Sequence, residues 1–167
     1  SNYMNGIFEI NADEKCVRVE PGIVLDELNL QLNPYGLMYA PDVATSSRAN
    51  VGGTIGNNSA GSHSVIYGKT IDHVYDLRLL LSDGSQVHWG STAKEETGAK
   101  MQQKDLEGQV YREGIRLARV HRDEISKRYP KILRRVGGYN LDAFTHDGDV
   151  NMAHIVIGSE GTLATVL

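Results

Sequence analysis

The sequence predicts an α+β domain, with a mixed, mostly antiparallel sheet flanked by helices. Three observations predict it. Short alternating segments bounded by turn residues open the chain and recur near its middle. A long amphipathic, charge-rich stretch fills 92–135. No strand runs into a G-x-G-x-x-G turn, the mark of a parallel dinucleotide-binding sheet. A chain of 167 residues suits one domain or two small lobes.

Ser1-Asn2 reads as a remnant of tag cleavage. Ile7 to Ile10 is a short strand, Asn11 to Glu14 a polar turn, and Cys16 to Glu20 alternates like a half-buried strand. After Pro21-Gly22 a short helix is expected. Leu25, Leu28 and Leu32 share one face, Asp26 and Glu27 sit in the first turn where the helix dipole favours acid, and Asn33-Pro34 stops it. Residues 40–70 are rich in glycine and small polar side chains, yet carry Val51, Ile55, Val65 and Ile66, which points to ordered, buried loop and short helix. Val74 to Leu81 and Gln86 to Trp89 form a hairpin across Asp83-Gly84. In 92–135, Leu106, Val110, Leu117 and Val120 mark the expected inner face of one or two surface helices that end before Pro130. His154 to Ile157 and Leu163 to Leu167 read as the last strands.

Composition excludes several classes. With 40% hydrophobic and 23% charged residues the chain is ordinary globular material, not a disordered one. Apolar runs are too short for a membrane span, and no signal-peptide pattern opens the chain. The net charge of -4 argues against general binding to nucleic acid or an anionic membrane. A single cysteine gives no internal disulfide and no zinc or iron–sulfur site, and no histidines stand at zinc spacing, so no metal site is expected.

Two stretches could carry chemistry. In 41–68, Gly52, Gly53 and Gly56 allow close backbone approach, and Thr45, Ser46, Ser47, Thr54, Asn57, Asn58 and Ser59 offer neutral donors. A short helix from about Gly52 would aim free N–H groups outward, which suits a diphosphate. The absence of lysine there sets aside a triphosphate loop. The alternative is a glycine-rich corner in a packed sheet–helix layer. The second stretch, Gly158-Ser159-Glu160-Gly161-Thr162-Leu163, can also be read as a simple turn between strands.

The chain resembles the FAD-linked oxidoreductases of the vanillyl-alcohol oxidase / p-cresol methylhydroxylase type. Four stretches carry the resemblance: Val19-Glu20-Pro21-Gly22 with Leu25 to Leu28; Pro41 to Ser47 leading to Gly52-Gly53; Asn57 to Gly61 running to Tyr67-Gly68; and Gly158 to Leu163. Their order and the Asp83-Gly84 hairpin between them also fit. Ala44 to Arg48, Tyr67 to Thr70 and Arg134 to Leu141 are similar to the large D-2-hydroxyacid dehydrogenases that bear a C-terminal iron–sulfur module.

The resemblance implies the second lobe of an FAD-binding domain over 3–167, with a helical insertion at about 92–135. It implies non-covalent FAD held by Pro41, Asp42, Val43, Ala44, Thr45, Ser46 and Ser47, by Gly52 and Gly53, by Asn57, Asn58, Ser59, Ala60 and Gly61, and by Gly158, Ser159, Glu160, Gly161, Thr162, Leu163 and Ala164. The last is often glycine in the family. The implied reaction takes a D-2-hydroxyacid (D-lactate, glycolate or D-2-hydroxyglutarate) to its 2-oxoacid by hydride transfer to flavin. Electrons pass on to a quinone, cytochrome or flavoprotein. Any iron–sulfur clusters belong to the full-length protein, not to this chain.

The resemblance also implies a fragment. The family's first lobe with its pyrophosphate loop and its C-terminal substrate domain are not in the sequence, so weak or no FAD binding by the chain alone and no assignable catalytic residue are expected. Another oxidase of the same type, or a scaffold that has lost flavin, are the alternatives. The expected location is the cytoplasm or the inner membrane face as a peripheral protein. His63, in the implied flavin-lining stretch, reads as a polar loop residue, a flavin hydrogen-bond partner or a covalent attachment point. His121 reads as solvated and Cys16 as a buried inert thiol.

Overall fold

The computed structural model describes residues 3–167; Ser1-Asn2, read above as a tag remnant, lies outside them. Strands β1 (Ile7–Asn11) and β2 (Cys16–Val19) form an antiparallel hairpin with an irregularity between Ile7 and Glu9. Helix α1 (Leu25–Leu32) follows, burying Leu25, Leu28 and Leu32 as their spacing predicts. It gives way to a 3-10 turn at Asn33–Tyr35, and Gly36 closes it in the left-handed conformation, φ 67°. Helices α2 (Val51–Asn57) and α3 (Ser64–Tyr67) lie in the glycine-rich stretch; Val51 and Ile55 are buried as expected, but Val65 and Ile66 are exposed, so its second half is not the buried loop the sequence suggests.

Strands β3 (Leu77–Leu80) and β4 (Gln86–Trp89) pair antiparallel, Leu77 opposite Trp89. At the turn Gly84 takes φ 84°, and Asp83 Oδ1 accepts from the N–H and the hydroxyl of Ser85. Only Leu77–Leu80 of the expected Val74–Leu81 strand enters the ladder. Two-residue β5 (Ser91–Thr92) and β6 (Val150–Asn151) pair with each other, and β7 (Thr165–Val166) adds antiparallel to β3. The α+β class holds. Among the described residues every ladder is antiparallel, and the strands divide into three small sheets.

The 92–135 stretch holds three helices, α4 (Lys94–Gln102), α5 (Leu106–Val120) and α6 (Arg122–Arg128), where one or two were expected. The inner face of α5 is only partly the predicted one. Leu106 and Val110 are half-buried and pack against the core, but Leu117 and Val120 are exposed, and Tyr111, Ile115 and Ala118 are buried with Gly108 and Gly114. Gly114 sits where the helix packs closely: a Cβ there would stand 3.4 Å from Ile155 Cδ1. Residues 154–157 are not a strand. Helix α7 covers Ala153–Val156, with Asn151 Oδ1 accepting the Ala153 N–H at 3.0 Å. A four-residue apolar run fits a buried helix turn as well as a strand. The core gathers Leu25, Leu28, Leu79, Trp89, Tyr111, Ile115, Phe144, Met152 and Ile157.

Candidate functional site

Helix α2 lies inside the first of the two stretches singled out in the sequence, and its carboxyl end meets the second. Its first amides are all engaged within the chain. Val51 N–H donates to Ile23 O (3.0 Å), Gly52 N–H to Pro21 O (2.7 Å) and Thr54 N–H to Asn50 O (3.1 Å). The Asn50 side chain caps Gly53 N–H at 2.7 Å. The outward-facing N–H groups expected for a diphosphate are therefore not there. The helix end is closed by the Pro21–Ile23 segment, which arrives from far away in sequence.

The glycines separate by what surrounds them. A Cβ at Gly52 would stand 2.7 Å from the Pro21 Cβ, one at Gly53 3.0 Å from its own cap, and one at Gly61 would overlap the Asp42 carbonyl oxygen. These three are demanded by the chain's own packing. A Cβ at Gly56 or Gly161 meets nothing within 4 Å.

The carboxyl end of α2 meets the 158–161 turn. Gly158 N–H donates to Ile55 O and Glu160 N–H to Gly56 O, both at 2.9 Å. Asn57 Nδ2 donates to Glu160 Oε1 at 3.1 Å. Left-handed backbone at Asn58, Gly158, Glu160 and Gly161 turns the chain so that these amides reach the helix. A cleft of about 250 Å³ opens beside this junction, lined by Gly52, Gly56, Ser159, Gly161 and Ala164 among polar or small positions, and by Pro21, Ile55, Val156 and Val166. Two buried polar atoms here have no hydrogen-bond partner, Ser159 Oγ and Asn58 Nδ2; Asn58 Oδ1 accepts from Ile71 N–H.

The other predicted residues fall elsewhere. Among the described residues, none of 41–47 and none of 57–61 lines that cleft. Ala44, Thr45 and Ser47 are exposed, and Ser46 O accepts the Asp26 N–H at the start of α1. Thr162 and Leu163 are exposed, and the Thr162 hydroxyl donates to Ser159 O at 2.6 Å. Ala60 O accepts from Arg134 Nη2 at 3.4 Å, bringing the segment after α6 to this side.

Asp42 and His63, treated separately in the sequence, are paired. His63 Nδ1 stands 2.5 Å from Asp42 Oδ2, and its main-chain N–H donates to Oδ1 at 3.1 Å. Burial pushes the Asp42 carboxyl up, but the His63 N–H and ring outweigh it and hold the carboxyl below its usual range. Tyr39, whose hydroxyl lies 2.9 Å from Thr54 Oγ1 and donates to Thr70 Oγ1 at 3.4 Å, braces α2 against this loop; burial pushes its phenol up, and the hydrogen bonds with Thr54 and Thr70 oppose the shift in part. Of the remaining residues weighed, His121 is exposed and Cys16 is half-buried, where full burial was expected. Among the described residues no group of His, Cys, Asp and Glu could hold a metal, and no helix is long and apolar enough to cross a membrane.

Residues 1–90 match the family profile described as FAD binding domain. The chain belongs to this FAD-binding domain family. It is 37% identical over 168 residues to the D-2-hydroxyglutarate dehydrogenase of Pantoea ananatis, covering 99% of this chain and 16% of that protein. The D-2-hydroxyglutarate dehydrogenase of Escherichia coli is 36% identical, again over 99% of this chain and 16% of its own length. The glycolate oxidase subunit GlcD of Bacillus subtilis is 32% identical over 53% of this chain and 19% of its own length. The chain thus spans about one sixth of the dehydrogenases it matches from end to end.

In the cleft of this FAD-binding domain Gly56 and Gly161 leave open space, and the Ser159 hydroxyl is buried without a partner in the chain.

Proposed function

We propose that the chain is the FAD-holding part of a flavin-dependent dehydrogenase that oxidises a D-2-hydroxyacid, D-2-hydroxyglutarate foremost, to the 2-oxoacid. One observation carries the reading. Similarity to D-2-hydroxyglutarate dehydrogenases runs over 99% of the chain, insertion included, whereas similarity to a glycolate oxidase subunit covers 53%. Residues 3–167 act as one FAD-binding unit with 92–135 as a helical insertion. FAD is held non-covalently.

Gly56 and Gly161 admit the cofactor, and Ser159 and Ala164 line its seat. The stretches Pro41 to Ser47 and Asn57 to Gly61 continue the contact beyond the cleft. When bound, flavin supplies the hydride acceptor. The chain's own residues bind and orient it, mostly through small side chains and main chain. The base, the substrate pocket and any iron–sulfur clusters belong to the rest of the longer protein, which passes electrons to a quinone, cytochrome or flavoprotein. It works in the cytoplasm or as a peripheral protein at the inner membrane face.

The test uses the full-length protein. It is expected to be yellow, with flavin absorbance, and to reduce a dye acceptor when given D-2-hydroxyglutarate. A colourless protein that gains no flavin spectrum on adding FAD overturns the proposal.

A further inference from the structure

We infer that Asp42 and His63 form a carboxylate–imidazole dyad in which His63 Nε2 accepts a hydrogen bond from an aliphatic hydroxyl of the ligand held by this domain. The inference rests on the flavin-dependent dehydrogenase reading above, and it gives Asp42 a role other than touching the cofactor itself.

The Asp42 carboxylate is already filled. Oδ1 accepts the His63 main-chain N–H at 3.1 Å; Oδ2 accepts the Ser62 hydroxyl at 3.2 Å and faces His63 Nδ1 at 2.5 Å. These contacts hold the imidazole. A carboxylate accepting from Nδ1–H fixes both the orientation of the ring and its tautomer. In the neutral ring held this way, Nε2 is the nitrogen with a free lone pair and accepts.

The ring is placed to use it. The His63 side chain is 64% exposed, and the Tyr67 ring meets it edge-on at 6.4 Å between centroids. The two loops that supply the pair are locked together, because Gly61 packs so closely on the Asp42 carbonyl that no side chain fits between them. Ser62 does not extend the pair into a nucleophilic relay, since its hydroxyl donates to the carboxylate and not to the imidazole. An outward acceptor, fixed in direction, in a stretch otherwise rich in donors selects O–H. FAD and a D-2-hydroxyacid both carry aliphatic hydroxyls, the first on its ribityl and ribose groups and the second at C2.

The experiment separates these sources and separates this inference from the reading beneath it. In the ¹⁵N-labelled chain, His63 is expected as the Nδ1–H tautomer, and Asp42→Asn is expected to give a tautomer mixture while the circular dichroism stays unchanged. In the full-length protein, His63→Phe is expected to weaken either FAD, followed by flavin fluorescence quenching, or D-2-hydroxyglutarate, followed by calorimetry, by about tenfold. His63→Gln, which keeps an acceptor at the Nε2 position, restores most of it. Glutarate, which lacks the hydroxyl, should bind His63→Phe and the parent alike. A shift confined to FAD assigns the cofactor's hydroxyls, and one confined to D-2-hydroxyglutarate assigns the substrate's. An Nε2–H tautomer in the parent, or His63→Phe within twofold of the parent for both ligands, overturns the dyad while leaving flavin binding intact. A full-length protein that binds no FAD overturns the dehydrogenase reading, and the D-2-hydroxyglutarate arm then decides the dyad by itself.

Discussion

At Gly52 and Gly61 the missing side chain makes room for the protein's own atoms, Pro21 in the first case and Asp42 in the second. At Gly56, one helical turn beyond Gly52, the same absence leaves open space beside a cleft. In sequence the three positions look alike, members of one glycine-rich stretch. The structure divides them into glycines that join elements and a glycine that leaves a surface bare.

The largest expected effect lies on the joining side. Gly61→Ala drives a methyl into the Asp42 carbonyl, a backbone atom with no rotamer to change. It should destabilise the chain by about 3 kcal/mol or more in urea unfolding. A loss below about 1 kcal/mol would mean the 41–42 and 61–63 loops are not locked as described.

Gly52→Ala is the next step down. The Pro21 Cβ at 2.7 Å and its carbonyl at 3.0 Å must shift, which should cost about 1–3 kcal/mol. Gly56→Ala, in the same helix, should leave stability unchanged or raise it by up to about 1 kcal/mol through helix propensity. In the full-length protein it should nevertheless weaken FAD binding. Equal effects of the two substitutions on stability would erase the distinction between them.

Part of this was legible beforehand. The Leu25, Leu28, Leu32 face and the Asp83-Gly84 hairpin are local patterns, readable because every residue that decides them lies within a few positions. The amino end of α2 is not local. Its amides are claimed by Pro21 and Ile23, so a helix start that looks open in sequence is shut in space. On α5 the first half of the aliphatic pattern, Leu106 and Val110, does face the core, but Leu117 and Val120 do not, because the face that meets α7 is set by Gly114, Ile115 and Ala118. The Asp42–His63 pair needs two loops, 21 positions apart, to meet. Neither histidine nor aspartate announces that by itself.

Ser159→Ala sharpens the comparison from the other wall of the cleft. The hydroxyl is buried and unpartnered, so removing it should stabilise the free protein by up to about 1 kcal/mol, the reverse of most core truncations. FAD affinity should fall at the same time. A destabilised variant would show that the hydroxyl has a partner inside the fold and that the cleft is not waiting for one.

The smallest effect concerns the helix that leads into the Gly158 turn. His154 sits in α7, where burial pushes its imidazole below the ordinary histidine range, with Asp72 and Asp142 opposing in part. As pH falls below about 6.5, the unfolded chain takes up a proton at this position before the folded chain does. Stability therefore drops from that point down to the depressed folded value, and it is independent of this group above it. The α2 side of the cleft, Pro21, Gly52, Ile55 and Gly56, is lined by residues without titratable side chains, so acid should loosen the 158–161 side first. Unfolding free energies followed from pH 8 to pH 5.5 should decline more steeply for the parent than for His154→Gln. Parallel curves would show that α7 tolerates a charged imidazole and that both walls of the cleft respond alike to acid.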